Sequence, residues 1–242
     1  MPYIDRQNEI LRVVEQEKRI SVKKLAKILY VSEPTIRRDL NTLAASGLLK
    51  KIHGGAEIIS SAPDKKIPLV TRMNEQNDAK LKMAQKAVTL IHDGDIILLD
   101  ASTSASYIIP LLTKFKDIIV ITSGAESIVE LGKLNIRCYS TGGQLLNDCF
   151  SFIGEEAKRM VSTINADIVF FSCRGLSSDG KLTDISIEED QLRQTMMKQA
   201  KKKVFLCDDS KLGNTYFHNL CSISDIDVII SNADVSLSDF IK

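Results

Sequence analysis

The sequence predicts an α/β protein with a small N-terminal helical domain, ending in a β-hairpin, joined to a larger domain built on a mostly parallel sheet. Three observations support this fold class. Residues 1–60 hold eleven Lys and Arg against seven Asp and Glu, whereas the remaining residues are net acidic. The segment SSAPDKKIP at residues 60–68 changes composition and contains two prolines. Beyond it, six apolar runs alternate with helix-compatible stretches, as a doubly wound sheet requires. We therefore predict domains at 1–59 and 70–242, with a linker at 60–69.

Composition excludes several classes of protein. The 242 residues are 44% hydrophobic and 26% charged, which is typical of a globular chain. Apolar runs stay well short of the roughly 18 residues of a membrane span, and the N-terminal MPYIDRQNE is charged where a signal peptide would be apolar. The five cysteines contain no Cys-x-x-Cys pair. We expect a cytoplasmic protein with reduced thiols, no membrane association, no metal and no cofactor.

The first sixty residues predict three short helices. Ile10, Leu11 and Val14 have helical spacing, and Ser21 is suited to cap a second helix that runs through Leu29. Tyr30 and Val31 then form a tight turn. Ser32 can cap a third helix whose first turn contains Pro34 and whose end is marked by Gly47.

The third helix has one apolar and one polar face. At about 100° per residue, Ile36, Leu40 and Leu43 lie on one side and predict a buried face. The outward side carries Pro34, Arg38, Asn41 and Ala45, with Thr35, Thr42 and Arg37 on its flanks. A helix with small residues around an arginine can enter the major groove of DNA, where arginine makes bidentate contacts to guanine. We assign base contact to Arg38, helped by Thr35 and Pro34, and phosphate contact to Arg37. The alternative is that both arginines are solvated surface charges.

Two strand-like runs around Gly54 and Gly55 predict a hairpin after the third helix. Such a hairpin is the wing of a winged helix-turn-helix, where Lys50, Lys51 and His53 would lie near the sugar-phosphate backbone. The predicted DNA contacts are therefore Ser32, Pro34, Thr35, Arg37, Arg38, Asn41, Lys50, Lys51 and His53.

These residues carry a resemblance to a known family. The stretch VSEPTIRRDL at 31–40, followed by GLL at 47–49 and HGGA at 53–56, resembles the head of the deoxyribose-operon-repressor (DeoR) family of bacterial transcription regulators. Arg6, Ile10 and Val14 stand where the family signature has an arginine and two aliphatic residues. The resemblance implies sequence-specific binding to duplex operator DNA.

The second domain is predicted from its apolar runs. A helix is expected from about Val70 to His92, with Leu81, Ala84, Val88 and Ile91 on one side. Strands are then expected at 95–100, 118–121, 136–139, 168–171, 204–207 and 228–230. In such sheets ligands bind outside the carboxyl ends of the strands.

Polar and glycine residues follow the runs at that edge. Hydroxyls at a helix N-terminus favour an anion, Lys211 and Arg174 can neutralise phosphate, and Asp100 and Asp208 can accept from sugar hydroxyls. The set suits a small phosphorylated polyol. Alternatively, each loop is only a helix cap or a surface ion pair. The predicted effector contacts are Asp100, Ser102, Thr103, Ser104, Thr122, Gly142, Gly143, Arg174, Gly175, Asp208 and Lys211.

This second half is similar to the sensor domain of the same family, which resembles ribose-5-phosphate isomerase and glucosamine-6-phosphate deaminase in fold. The matching positions are Asp100, Thr103, Ser104, Thr122, Gly142, Gly143, Gly154, Ala157, Gly175, Glu189, Asp208, Ser210, Lys211, Leu212 and Gly213. Ser102 stands where glycine is common, Ser123 where asparagine is common, and residues 172–174 replace a small glycine-bearing segment. Because these departures surround the expected ligand, no particular sugar follows from the resemblance.

We favour a repressor of a sugar or carbohydrate utilisation operon, acting as a homo-oligomer, a dimer or tetramer, whose partners are operator DNA and a phosphorylated sugar. The alternative is a sugar-phosphate isomerase or deaminase with Glu189, Asp100 or Asp208 as general base. Such an enzyme does not need the winged head, and this sequence places no histidine in its predicted strand-end loops. A third idea is a thiol redox sensor using Cys173 and Cys207.

Overall fold

The computed structural model describes residues 3–45, 49–57 and 76–233. The chain forms two compact units, Met1–Glu75 and Gln76–Lys242. The predicted linker at 60–69, the helix end at Gly47 and the first residues of the helix expected from Val70 lie outside the described residues. The domain boundaries therefore stay predictions.

The N-terminal unit contains the three predicted helices and the hairpin. Its elements are α1 Tyr3–Glu17, β1 Arg19–Ser21, α2 Val22–Leu29, α3 Glu33–Ala45, β2 Lys50–Ile52 and β3 Gly55–Glu57. The strands form an antiparallel sheet in the order β1-β3-β2. The first strand is not predicted by the sequence, because it is only three residues long and buries one side chain, Ile20.

Local sequence explains where these helices begin and end. The Ser21 hydroxyl accepts a hydrogen bond from the Lys24 N–H at 3.2 Å, so it caps α2 as predicted. Tyr30 ends α2 in the left-handed conformation, with φ 54°. Ile36, Leu40 and Leu43 of α3 are buried against the other two helices, which confirms the inward face of the third helix.

The C-terminal unit is built on one parallel sheet of six strands. The strands are β4 Ile96–Leu99, β5 Ile119–Thr122, β6 Cys138–Ser140, β9 Ala166–Phe171, β12 Ala200–Cys207 and β14 Val228–Ser231. Their order in the sheet is β14-β12-β9-β4-β5-β6. Each of the six predicted runs contributes one strand. Neighbouring residues of the central strands, such as Leu98 and Leu99, enter separate buried clusters on the two faces of the sheet.

Two smaller antiparallel sheets accompany the main one and are not predicted. They are the hairpin β7 Gln144–Leu146 with β8 Ser151–Ile153, and a three-stranded sheet of β10 Gly175–Leu176, β11 Lys181–Asp184 and β13 His218–Ser222. Their strands are two to five residues long, too short for a clear alternation of polar and apolar residues.

Five α-helices of the C-terminal unit lie within the described residues. They are α4 Asn77–Ala87, α5 Thr103–Ser106, α6 Ala125–Lys133, α7 Glu155–Ser162 and α8 Ile187–Gln199. Of the apolar residues expected on one side of the first helix, Ala84, Val88 and Ile91 are buried, whereas Leu81 is 44% exposed. Met83 and Ala84 are in the core, and Leu81 precedes Met83 by two residues, about 200° around the helix. Across the described ranges, no helix is long and apolar enough to cross a membrane.

Candidate DNA interface and effector site

The outward face of α3 is polar and exposed. Arg37, Arg38 and Asn41 are all solvent-accessible, but the two arginines differ in their contacts. Arg37 forms an ion pair with Glu33 at 3.2 Å, one helical turn away. The Arg38 guanidinium makes no hydrogen bond or ion pair to the residues that the structure describes. Within the described part of the head, the guanidinium of Arg38 is therefore unpaired, whereas that of Arg37 is bound to Glu33.

The hairpin β2–β3 is connected to α3 by a direct contact. The Lys51 ammonium donates to Asn41 Oδ1 at 2.5 Å, so a wing lysine contacts the outward face of the third helix. Lys50 pairs with Glu57 across the hairpin at 3.0 Å. His53 is exposed in the turn between the two strands. The predicted contact residues of the wing and of the outward face of α3 therefore lie on two elements that are in direct contact.

A buried ion pair holds α3 against α1, and sequence reasoning did not identify it. Asp39 is fully buried and accepts from Arg6 Nε at 2.6 Å and from Arg6 Nη2 at 3.2 Å. The signal was present in the helical projection, because Asp39 falls about 60° from the buried Ile36. A carboxylate on a buried face needs a cationic partner.

In the C-terminal unit, Asp100 lies directly after β4 at the carboxyl edge of the sheet. Its Oδ1 accepts from the backbone N–H of Ser102 at 3.1 Å and from the Ser102 hydroxyl at 2.5 Å. Its Oδ2 accepts from the Ser172 N–H at 3.2 Å and from Arg193 Nε at 2.9 Å. The carboxylate is 2% exposed, and its acceptor positions are used by the protein. This geometry differs from the expected role of Asp100 as an acceptor for ligand hydroxyls.

The Lys211 ammonium lies at the centre of a second group on the same edge. It contacts Ser172 Oγ at 2.6 Å, Asp208 Oδ2 at 3.0 Å and Ser104 Oγ at 3.2 Å. Burial alone would raise the pKa of Asp208, but Lys211 and the Ser210 hydroxyl together lower it, so this carboxylate stays ionised. Lysine, two hydroxyls and a carboxylate from the loops after three strands thus converge at one point.

Arg193 connects four carboxylates and is the principal residue that sequence reasoning missed. Besides Asp100, it contacts Asp184 at 2.9 Å, Asp190 at 2.9 Å and Glu189 at 3.5 Å. Burial alone lowers the pKa of a guanidinium, but these four neighbours hold the pKa of Arg193 above its ordinary value. The spacing of Glu189, Asp190 and Arg193 along one helix indicates that these side chains can pair. The contacts of Arg193 with Asp100 and Asp184 could not be predicted, because they depend on the fold.

Two of the three predicted glycines, Gly143 and Gly175, have close backbone neighbours within the protein. A Cβ at Gly143 would lie 2.3 Å from the Ile153 carbonyl oxygen, and one at Gly175 would lie 2.4 Å from the Asn214 carbonyl oxygen. Gly142 has a positive φ of 64° and open space beside it. Thr122 is fully buried and its hydroxyl accepts from the Gly124 N–H at 3.0 Å. These features shape the loops, whatever they bind.

The remaining predicted contacts lie beside the two groups around Asp100 and Lys211. Ser102 caps α5, where its hydroxyl accepts from the Ala105 N–H at 3.2 Å. Thr103 follows it on the first turn and is largely buried. Arg174 contacts Asp184 at 3.6 Å and so joins the group around Arg193.

The two cysteines of the redox hypothesis are buried. Burial, reinforced by Asp184, raises the pKa of the Cys173 thiol well above its ordinary value. Burial likewise raises the pKa of Cys207 to about 12. Since the thiolate is the reactive form, these environments disfavour thiol chemistry.

Comparison with known families covers both units. A DeoR-like helix-turn-helix domain matches residues 6–62, and a DeoR C terminal sensor domain matches residues 75–233. The chain belongs to the DeoR family. It is therefore a transcriptional regulator with a helix-turn-helix head and a sensor domain, and not an enzyme.

Relatives of this DeoR-family chain match over nearly its whole length. The HTH-type transcriptional regulator GolR of Listeria innocua is 34% identical over 96% of this chain and 91% of its own length. The lactose phosphotransferase system repressor of Staphylococcus epidermidis is 29% identical over 94% and 91%. The glycerol-3-phosphate regulon repressor of Escherichia coli is 28% identical over 98% and 94%.

Solved structures align with part of this DeoR-family chain. The eIF2B delta subunit of Chaetomium thermophilum aligns with a TM-score of 0.51 and 15% identity over 67% of this chain and 58% of that one. Ribose 5-phosphate isomerase A of Methanocaldococcus jannaschii aligns with a TM-score of 0.44 and 20% identity over 57% and 55%.

Proposed function

We propose that this protein represses a sugar or carbohydrate utilisation operon and that a phosphorylated sugar at the carboxyl edge of the parallel sheet controls its affinity for operator DNA. The observation that carries the proposal is the position of Lys211, a largely buried ammonium that contacts the hydroxyls of Ser104 and Ser172 and the carboxylate of Asp208. Two relatives are named for repressing a lactose phosphotransferase system and a glycerol-3-phosphate regulon, which agrees with a phosphorylated effector.

The proposed DNA contacts follow from exposure and charge. Arg38, with its guanidinium unpaired among the described residues, would read a guanine edge in the major groove, with Thr35 and Pro34 beside it. Arg37 would contact a DNA phosphate once its ion pair with Glu33 is broken. The other proposed contacts are Ser32 and Asn41 on the helix, and Lys50, Lys51 and His53 on the wing.

The proposed effector contacts divide into two roles. Lys211, Ser104 and Thr103 would hold the phosphoryl group, because an ammonium and hydroxyls near a helix start favour an anion. Arg174 and Asp208 would lie near the sugar. We keep Ser102, Thr122, Gly142, Gly143 and Gly175 as residues that shape the loops around it.

The assembly and location are also proposals. Helix-turn-helix heads usually use two half-sites, so we propose a homodimer or a tetramer in the cytoplasm. The proposed DNA-binding domain is residues 1–59, the linker residues 60–69 and the sensor domain residues 70–242. The effector would change operator affinity by stabilising one arrangement of the two heads over another.

The decisive experiment combines Lys211→Ala with a screen of phosphorylated sugars. For the wild-type protein, one sugar phosphate should raise the melting temperature and change operator affinity, because a ligand that binds the folded state stabilises it. In K211A, operator affinity without sugar phosphate should stay within about twofold, while the thermal shift and the response of operator binding should be lost.

The matched control is Lys201→Ala, which removes an exposed lysine paired with Asp167 at 2.8 Å. K201A should respond to the sugar phosphate like the wild-type protein. A wild-type protein that binds no DNA in any buffer yet converts a sugar phosphate catalytically would contradict the proposed function.

A further inference from the structure

The contacts of Arg193 point to a role in the effector site that rests on the proposed function. We propose that Arg193 positions the effector-binding loops through Asp100 and that neither of these two side chains contacts the effector. Arg193 belongs to α8, whereas Asp100 follows β4, so one ion pair joins a helix to the carboxyl edge of the sheet.

Asp100 organises both sides of the region around Lys211. On one side it binds the backbone N–H and the hydroxyl of Ser102, the residue that caps the helix carrying Ser104. On the other side it binds the N–H of Ser172, whose hydroxyl contacts Lys211 at 2.6 Å. Ser104 also contacts Lys211, so a shift of the Asp100 carboxylate would move both hydroxyl partners of the lysine.

The acceptor capacity of Asp100 argues against direct contact with a ligand. A carboxylate offers about four acceptor positions, and Asp100 already receives four donors from Ser102, Ser172 and Arg193. A sugar hydroxyl could bind only by displacing one of these donors.

The electrostatics of Arg193 argue against direct contact with a phosphate. Its side chain is 7% exposed and lies among Asp100, Asp184, Glu189 and Asp190. Arg174 is the other guanidinium on Asp184, and His218 Nδ1 lies 2.7 Å from Asp190 Oδ2, so four carboxylates face two guanidinium groups and one imidazole. Even with the imidazole protonated this group is net negative and repels an anion, whereas the ammonium of Lys211 contacts the Ser172 hydroxyl and none of these four carboxylates.

The test is a double-mutant cycle with Arg193→Lys and Asp100→Asn in the full chain. The probe is the sugar phosphate that gives the largest thermal shift with the wild-type protein. Inorganic phosphate is tested in parallel. Lysine keeps the charge at position 193 but cannot span the carboxylates as a guanidinium does. We expect each single variant to weaken probe binding at least tenfold. The double variant should bind the probe no more than about threefold more weakly than whichever single variant has the lower affinity.

The control is Arg137→Lys, the same substitution at an exposed arginine that contacts Tyr139. R137K should bind the probe as the wild-type protein does. Unchanged binding in R193K, or a double variant whose loss equals the product of the two single losses, would overturn the proposal. A positioning role also predicts that R193K and R137K bind operator DNA equally well without the probe.

A crystal structure of the wild-type protein with the probe decides the question if R193K does not fold. The proposal expects Asp100 to keep its four donors and every nitrogen of Arg193 to lie beyond 3.5 Å from the bound molecule. Direct contact between Arg193 or Asp100 and the probe would overturn it. If the wild-type protein binds neither inorganic phosphate nor any sugar phosphate, the proposed function fails, independently of the role of Arg193.

Discussion

At the scale of single residues, the contacts of Arg37 and Arg38 separate two neighbours that look equivalent in the sequence. Arg37 is paired with Glu33, while Arg38 has no described partner on an exposed face. We expect Arg38→Ala to lower the preference for operator over random DNA by about 1–3 kcal/mol, because a bidentate contact to guanine is lost. Competition binding with the two DNAs at fixed salt measures this preference.

Arg12→Ala is the control for R38A, because Arg12 is exposed on α1 and pairs with Glu9. R12A should keep the preference for operator DNA. Equal selectivity of R38A and the wild-type protein would contradict the assigned groove contact.

Residue types and residue contacts differ in how far the sequence predicts them. Lys211 and the hydroxyl of Ser104 could be nominated because each follows a strand in a doubly wound pattern. The roles of Arg193 and Asp100 could not be predicted, because two of the four donors of Asp100, the Ser172 N–H and Arg193 Nε, come from segments 72 and 93 residues away in the chain. Only the fold determines which donor reaches which oxygen.

At the scale of elements, the ion pair between Arg6 and Asp39 holds α3 in place. Removing one partner of a buried pair leaves an uncompensated charge, which typically costs about 3–5 kcal/mol. We expect Asp39→Asn to destabilise the head by about 3 kcal/mol. This value is at the low end of that range because the Arg6 side chain is 15% exposed. Hydrogen exchange of the α3 backbone amides reports this loss directly.

The control for D39N is Glu9→Gln, which removes the partner of Arg12 on the exposed side of α1. Exposed pairs contribute roughly 0–1 kcal/mol, so E9Q should leave the exchange of α3 nearly unchanged. Equal protection of α3 in D39N and E9Q would show that the buried pair does not stabilise the helix.

Two glycines in the sensor domain give opposite expectations for the same substitution. Gly143 has φ +97°, and a Cβ there would lie 2.3 Å from the Ile153 carbonyl oxygen. Gly143→Ala should therefore destabilise the fold by about 1–3 kcal/mol. Gly132 lies in α6 with open space beside it, so Gly132→Ala should stabilise the fold by up to about 1 kcal/mol. Melting temperatures that move in the same direction would contradict this interpretation.

Element types follow from the sequence where an element is long or its pattern repeats. The six parallel strands were predicted because each is an apolar run between helix-compatible stretches. β1 and the strands β10 and β11 were not, because two to four residues carry no period. Leu81 is exposed because α4 packs in the core through Met83, Ala84 and Ala87, and this buried face leaves Leu81 at its edge.

At the scale of the whole molecule, the split charge and the change of pattern around residues 60–68 predicted two units, and the chain has two compact units. The sequence predicts that one unit binds DNA and the other an effector, but it contains no signal for how the two communicate. That communication depends on the energies of alternative arrangements, which no residue pattern records.

Thermodynamic linkage turns the proposed communication into a measurable quantity. If a sugar phosphate changes operator affinity by some factor, the operator must change sugar-phosphate affinity by the same factor, and such couplings are typically about 1–3 kcal/mol. We expect calorimetric titrations of the full chain, with and without a saturating operator duplex, to give equal factors in the two directions. In R38A, an operator duplex at the same concentration should have a smaller effect on sugar-phosphate affinity, because less of the protein is bound to DNA. A sugar phosphate that binds at Lys211 but leaves operator affinity unchanged would show that the sensor domain does not control the head.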